Sequence, residues 1–119
     1  MSKLLVHIVT GPENPTRVTL ALLVARTAAT NGHDVNVFFA GDGVSHLRSS
    51  VMDETRGPGV GSAREHYDAL LGAGGTIFAS GMSSKARGID GELVGPGVQL
   101  APPDRLVELI LDADRVVTY

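Results

Sequence analysis

Thr76-Ile77-Phe78-Ala79-Ser80-Gly81-Met82-Ser83-Ser84-Lys85-Ala86-Arg87-Gly88 is the stretch on which the reading of this chain turns. Its first four residues form a short apolar run of the kind expected for a strand covered on both faces. The run gives way at Ser80 to a polar turn with three serines, a glycine and the two cations Lys85 and Arg87. A buried strand therefore ends where backbone amides, hydroxyls and positive charge come together. In a parallel α/β sheet, that end of a strand is the usual ligand position.

Working outward, the rest of the chain alternates strands with helices. Leu4 to Val9 reads as a strand buried on both faces and placed centrally. The first helix has clear punctuation: Asn14 as N-cap, Pro15 at the first helical position, Val18 to Ala29 as the body and Gly32 as the stop. Its residues 20 to 25, Leu-Ala-Leu-Leu-Val-Ala, place apolar side chains all the way round at about 100° per residue. One sheet cannot bury every side of such a helix, so another helix or another subunit is expected over its outer face. Val35 to Ala40 is a second strand, ending at Gly41-Asp42-Gly43.

Residues 48–61 show no core pattern and read as a surface loop with the character of a lid. Ser62-Ala63-Arg64-Glu65 is a capping box that opens a helix through Leu71, closed by the glycines at 72, 74 and 75. After the strand at 76–79, Val98 to Leu100 forms a short fourth strand. Pro102-Pro103-Asp104 starts a last helix through Asp112, and Arg115 to Thr118 is the fifth strand. This order predicts a single α/β domain over residues 1–119 with a mostly parallel sheet. It brings three loops to one crest: Thr10 to Asn14, Gly41 to His46, and Ser80 to Arg87.

Composition narrows the function classes. The chain has 119 residues, 43% of them apolar, enough for one core. Thirteen acidic against ten basic side chains leave a net charge of -3 with the cations scattered. Duplex nucleic acid needs a concentrated basic face, so it is not an expected partner. The longest charge-free run, Ala69 to Ser84, is broken by glycines and serines and is no membrane span; nor does the N-terminus read as a signal peptide. A soluble, cytoplasmic protein is expected. The absence of cysteine excludes disulfides, iron-sulfur clusters and cysteine-ligated zinc.

Candidate site residues follow from the crest. The amides around Ser80, Gly81 and Ser83, together with Lys85 and Arg87, favour an anion. The alternative is a simple turn in which the two cations are solvated or paired to an acidic neighbour. Asp42, between Gly41 and Gly43, is the carboxylate best placed in the crevice, or else the cap of the short turn that follows it. Gly11 and Asn14 bring the first loop to the same place. Among the histidines, His7 reads as a hydrogen-bonded core imidazole and His33 as exposed, while His46 and His66 can approach the crevice.

No pair of histidines has helical ligand spacing, so no metal site is expected, and no cofactor. Ser80 lacks the flanking glycines of a nucleophile elbow, since Phe78 and Met82 stand there, and no base for it can be identified. Gly57, Gly59 and Gly61 do not make a dinucleotide fingerprint, because Ser62 stands where the third glycine is needed.

Taken in order, Thr10-Gly11-Pro12-Glu13-Asn14-Pro15, Gly41-Asp42-Gly43-Val44, the Ser80 to Gly88 loop and Ala113-Asp114-Arg115-Val116-Val117 resemble the DsrE/DsrF-like (YchN/TusD-like) sulfur-relay family over essentially the whole chain. That resemblance implies a three-layer α/β/α sandwich with a five-stranded parallel sheet. It also implies assembly as a homotrimer or homohexamer, and a role in passing sulfane sulfur between proteins. The YchN-like form of the third loop reads Cys-Gly-x-Cys, and here the matching positions are Ser80-Gly81-Met82-Ser83. A hydroxyl cannot hold a persulfide as a thiolate does. The resemblance therefore implies a protein without covalent sulfur transfer of its own, binding a small anionic ligand or a sulfur-carrier protein. Two alternatives stand beside it: a structural or regulatory subunit of a relay complex, and an enzyme using Asp42, His46 or Ser80.

Overall fold

The computed structural model describes residues 1–89, 95 and 97–119. Its main sheet contains β1 (Lys3–Ile8), β2 (Asp34–Phe39), β5 (Thr76–Ser80), β6 (Gln99–Ala101) and β7 (Arg115–Thr118), in the order β6-β5-β2-β1-β7. Every pairing in it is parallel. The five strands read from sequence are therefore all present. The first of them is an inner strand, but β2 holds the middle position.

Strand alternation sorts the core into two layers. Val6 and Ile8 of β1, Val37 and Phe39 of β2, and Ile77 and Ala79 of β5 share one face with Val18, Leu22 and Ala25 of α1 (Pro15–Thr30) and with Tyr67 and Leu70 of α3 (Ala63–Gly72). Among the described residues the opposite face is thinner. There Leu5, Phe38, Phe78 and Ala101 meet Leu109, the one buried residue of α5 (Pro103–Asp112). Phe38 and Phe78 stack at 6.3 Å, and the Arg105 guanidinium lies 5.3 Å from the Phe78 ring centre. Together these layers make an α/β sandwich of helices on both sides of a parallel sheet.

The helix ends follow local chemistry. Asn14 Oδ1 accepts from the Arg17 amide at 3.1 Å, and Gly32, at φ 91°, supplies the left-handed step that reverses the chain after α1. Ser62 Oγ accepts from the Glu65 amide at 3.4 Å as the capping box requires. The all-round apolar α1 packs against α3 and the short strand Arg56–Gly57, yet Leu20 stays 37% exposed.

Residues 48–61 depart from expectation, because they are folded. They form α2 (Ser49–Glu54) and a hairpin of β3 (Arg56–Gly57) with β4 (Gly61–Ser62). Met52 is fully buried, and a methyl on Gly57 would come within 3.0 Å of Thr16 Cα on α1. Single buried residues such as Met52, Thr55 and Gly57 hold this segment down, and they leave no periodic signature.

Candidate functional site

Three loops meet at the carboxyl ends of β1, β2 and β5. A methyl added to Gly11 would sit 2.8 Å from the Asp42 carbonyl oxygen, so the first two loops touch. The second loop is a 3-10 helix, Gly41–Leu47, which lies against α4 (Gly81–Ala86). Gly43 is packed so tightly that a side-chain carbon there would run into the Ile8 carbonyl. The Gly41 amide donates to Ser83 Oγ at 2.9 Å, and Arg87 Nη2 meets Asp42 Oδ1 at 2.8 Å. These two bonds tie the second loop to the third.

Both loop hydroxyls are acceptors in the framework. Ser80 Oγ caps α4 by accepting from the Ser83 amide at 3.1 Å, and Ser83 Oγ receives the Gly41 amide. Among the described residues neither hydroxyl is hydrogen-bonded to a carboxylate or an imidazole. Asp42 does not cap the turn after it, as one sequence reading had it; its carboxylate faces Arg87. Arg87 also donates to the Ser83 carbonyl at 3.1 Å, and its own carbonyl accepts from Arg48 Nη2 at 2.7 Å. Arg87 is thus paired to an acidic neighbour, whereas Lys85 is exposed and has no ion-pair partner among the described residues.

The histidines separate into distinct roles. His46 lies beneath the crest with no exposed surface. Thr55 gives its hydroxyl proton to the Val51 carbonyl at 2.7 Å, so at 3.3 Å it can only accept from His46 Nδ1–H. His46 Nε2 has no hydrogen-bond partner among the described residues. Burial pushes His46 below the ordinary imidazole range, with the Gly11 and Thr10 backbone and the Glu13 charge acting in the opposite direction. His7 Nε2 is likewise without a partner, so the hydrogen-bonded core imidazole expected there is not found; the ring packs edge-on to Phe38.

His66 does not join the crest. It donates from Nε2 to the Val60 carbonyl at 2.6 Å and accepts from Arg26 at 3.1 Å, pinning the hairpin to α1 and α3. His33, exposed as expected, accepts from the Ser2 amide. No cluster of three or more histidine and carboxylate side chains suited to a metal ion occurs among the described residues. No helix among them is long and apolar enough to cross a membrane.

The crest therefore gathers Gly11, Asp42, Gly43, Ser80, Ser83 and Arg87 into one bonded patch, with His46 beneath it. Asn14 is engaged as the α1 cap. Gly81 and Lys85 line a cleft of about 380 Å³ with Met82, Leu100, Ala101 and Pro102. Met82, 69% exposed, and Leu100, 48% exposed, were not among the residues expected at a site. A large apolar side chain set among serines in a polar turn is the signal that marks Met82.

A five-stranded parallel sheet with helices on both faces, and a crest held together through the Ser80 and Ser83 hydroxyls, define the class of protein. The chain belongs to the DsrE/DsrF-like family, whose model matches residues 3–119. It is 30% identical over 118 residues to the uncharacterized protein MJ0989 of Methanocaldococcus jannaschii, covering 98% of this chain and 99% of that one. It is 29% identical over 109 residues to the uncharacterized protein MK0008 of Methanopyrus kandleri, covering 92% and 87%. Among solved structures, the YchN protein from E. coli superposes over the full length of both chains with a TM-score of 0.81 at 20% identity. The MTH1491 protein of Methanobacterium thermoautotrophicum does so at 0.74 and 19%.

Proposed function

We propose that this chain is a binding member of its family, related to intracellular sulfur relay, that engages a small anion or a sulfur-carrying partner at the crest without a covalent intermediate of its own. The observation that carries this reading is the use made of the two hydroxyls at the thiol positions. Ser80 Oγ and Ser83 Oγ each accept a backbone amide and hold the crest together. A serine becomes nucleophilic only through a positioned base, and a neutral hydroxyl does not exchange sulfur. Lys85, without a carboxylate partner among the described residues, supplies a cation beside the crest, and the Arg87–Asp42 pair supplies a second that an anion reaches by displacing Asp42. Oligomerisation as a homotrimer or homohexamer in the cytoplasm belongs to the same proposal, supported by family membership and by the exposed Leu20 on α1.

The test has two arms. Incubation with a persulfide donor should leave the intact mass unchanged, and a stable gain of one sulfur would refute the non-covalent reading. Thiosulfate or sulfate should raise the melting temperature, and Lys85→Ala should reduce the rise. Asp42→Asn, which frees Arg87, should enlarge it. An anion response indifferent to both substitutions would place the site elsewhere.

A further inference from the structure

We propose that the open sheet edge at β6 is a docking site for an extended peptide segment of another protein, one that carries an apolar side chain and a carboxylate and adds to the sheet as a further strand. Strand β6 pairs with β5 alone, so among the described residues its outer backbone groups have no sheet partner. Proteins usually guard such an edge with charge, proline or a bulge, because an unpaired row of N–H and C=O groups is a template for another strand. Here Pro102 closes the carboxyl end, and the middle residue, Leu100, is apolar and 48% exposed.

Clefts flank this edge and share Leu100, Ala101 and Pro102. One, of about 320 Å³, lies on the α5 side and is walled by Phe78 and Arg105. The other, of about 380 Å³, lies by α4 and is walled by Met82 and Lys85. An added strand sends successive side chains to opposite faces, so it can fill both clefts while its backbone pairs with β6. Main-chain bonding supplies the affinity and the clefts supply the choice of side chain. On the α4 side, Met82 and Leu100 form an apolar surface beside a lysine that has no carboxylate partner among the described residues, which selects an apolar residue together with an acidic one. On the other side Arg105 is already shared between Glu108 and the Phe78 ring and Asp104 adds a second carboxylate, so that cleft is net negative and does not draw an acidic side chain. Lys85 is common to this surface and to the anion reading of the crest, but Leu100→Arg and the N-methylation pattern read the sheet edge alone, so their failure would leave the crest reading standing.

The test is selection of a random heptapeptide display library on the immobilised protein, followed by fluorescence anisotropy with the enriched peptides resynthesised. Enriched sequences should combine apolar residues with Asp or Glu. Leu100→Arg and Lys85→Glu, both at exposed positions and both checked for an unchanged melting temperature, should each weaken binding at least tenfold. Backbone N-methylation of the peptide should abolish binding at alternate positions and be tolerated between them, a pattern that side-chain docking alone does not produce. The proposal is overturned if no sequence is enriched, if binding ignores Leu100→Arg, or if N-methylation is tolerated throughout. It is equally overturned if the wild-type protein is an oligomer that Leu100→Arg dissociates, since a second copy would then occupy the edge.

Discussion

Ser83 and Ser84 are neighbours in sequence, and removal of their hydroxyls should move stability in opposite directions. Ser83 Oγ is the acceptor for the Gly41 amide at 2.9 Å in a part-buried setting. Ser83→Ala leaves that donor without its partner, at a cost of about 1–2 kcal/mol for an amide that water can partly reach. For a domain of this size that corresponds to a fall of roughly 3–10 °C in melting temperature. Ser84 is 1% exposed, and its Oγ has no partner among the described residues. Its desolvation is already unfavourable, so Ser84→Ala should be neutral or stabilising by up to about 1 kcal/mol. Thermal and urea unfolding of the two single variants beside the wild type decide the matter. If both substitutions destabilise alike, or if Ser83→Ala is silent, Ser83 is not the bolt between the second and third loops and its hydroxyl is free for chemistry.

Other consequences can be checked with the same preparations. Gly43→Ala forces a methyl into the Ile8 carbonyl, a backbone group that cannot swing aside, and should cost about 1–3 kcal/mol or more in urea unfolding. An Ala variant of ordinary stability would mean that the crest is looser than described. Arg87→Ala removes an ion pair whose members are 33% and 67% exposed, so its loss should cost only about 0–1 kcal/mol and shrink in high salt. A larger, salt-independent loss would contradict that weighting. His7 and His46 are both held below the ordinary value of 6.5 by burial, so the folded protein binds fewer protons than the unfolded chain. Their contribution is complete above about pH 6.5 and is lost as the pH falls below it, by at most about 1.4 kcal/mol per pH unit for each ring. Urea midpoints that stay level or rise between about pH 7 and pH 5 would refute this.

Much of the fold was legible because its signals are local. Asn14, Pro15 and Gly32 punctuate α1, Ser62 and Glu65 open α3, and Pro103 opens α5, each through a backbone preference that acts within a few residues. The meeting of three loops was legible too, since parallel strands bring their carboxyl ends to one side. Residues 48–61 were not, because Met52 and Thr55 are buried by distant elements rather than by a repeating pattern of their own. The pairing of Asp42 with Arg87 spans 45 positions and depends on how α4 turns, which no local rule fixes. Met82 and Leu100 were missed for a related reason, since exposure of an apolar side chain follows from where the sheet ends.

The unequal layers of the core carry a last consequence. One face of the sheet is sealed by two helices that also brace each other, while the other rests on α5, anchored through Leu109 with Leu106 beside it. Local opening should begin on the thinner side. The C-terminal helix can detach at a fraction of the global unfolding free energy, so its amides should exchange with deuterium well before those of α1, and proteases should find their first foothold there.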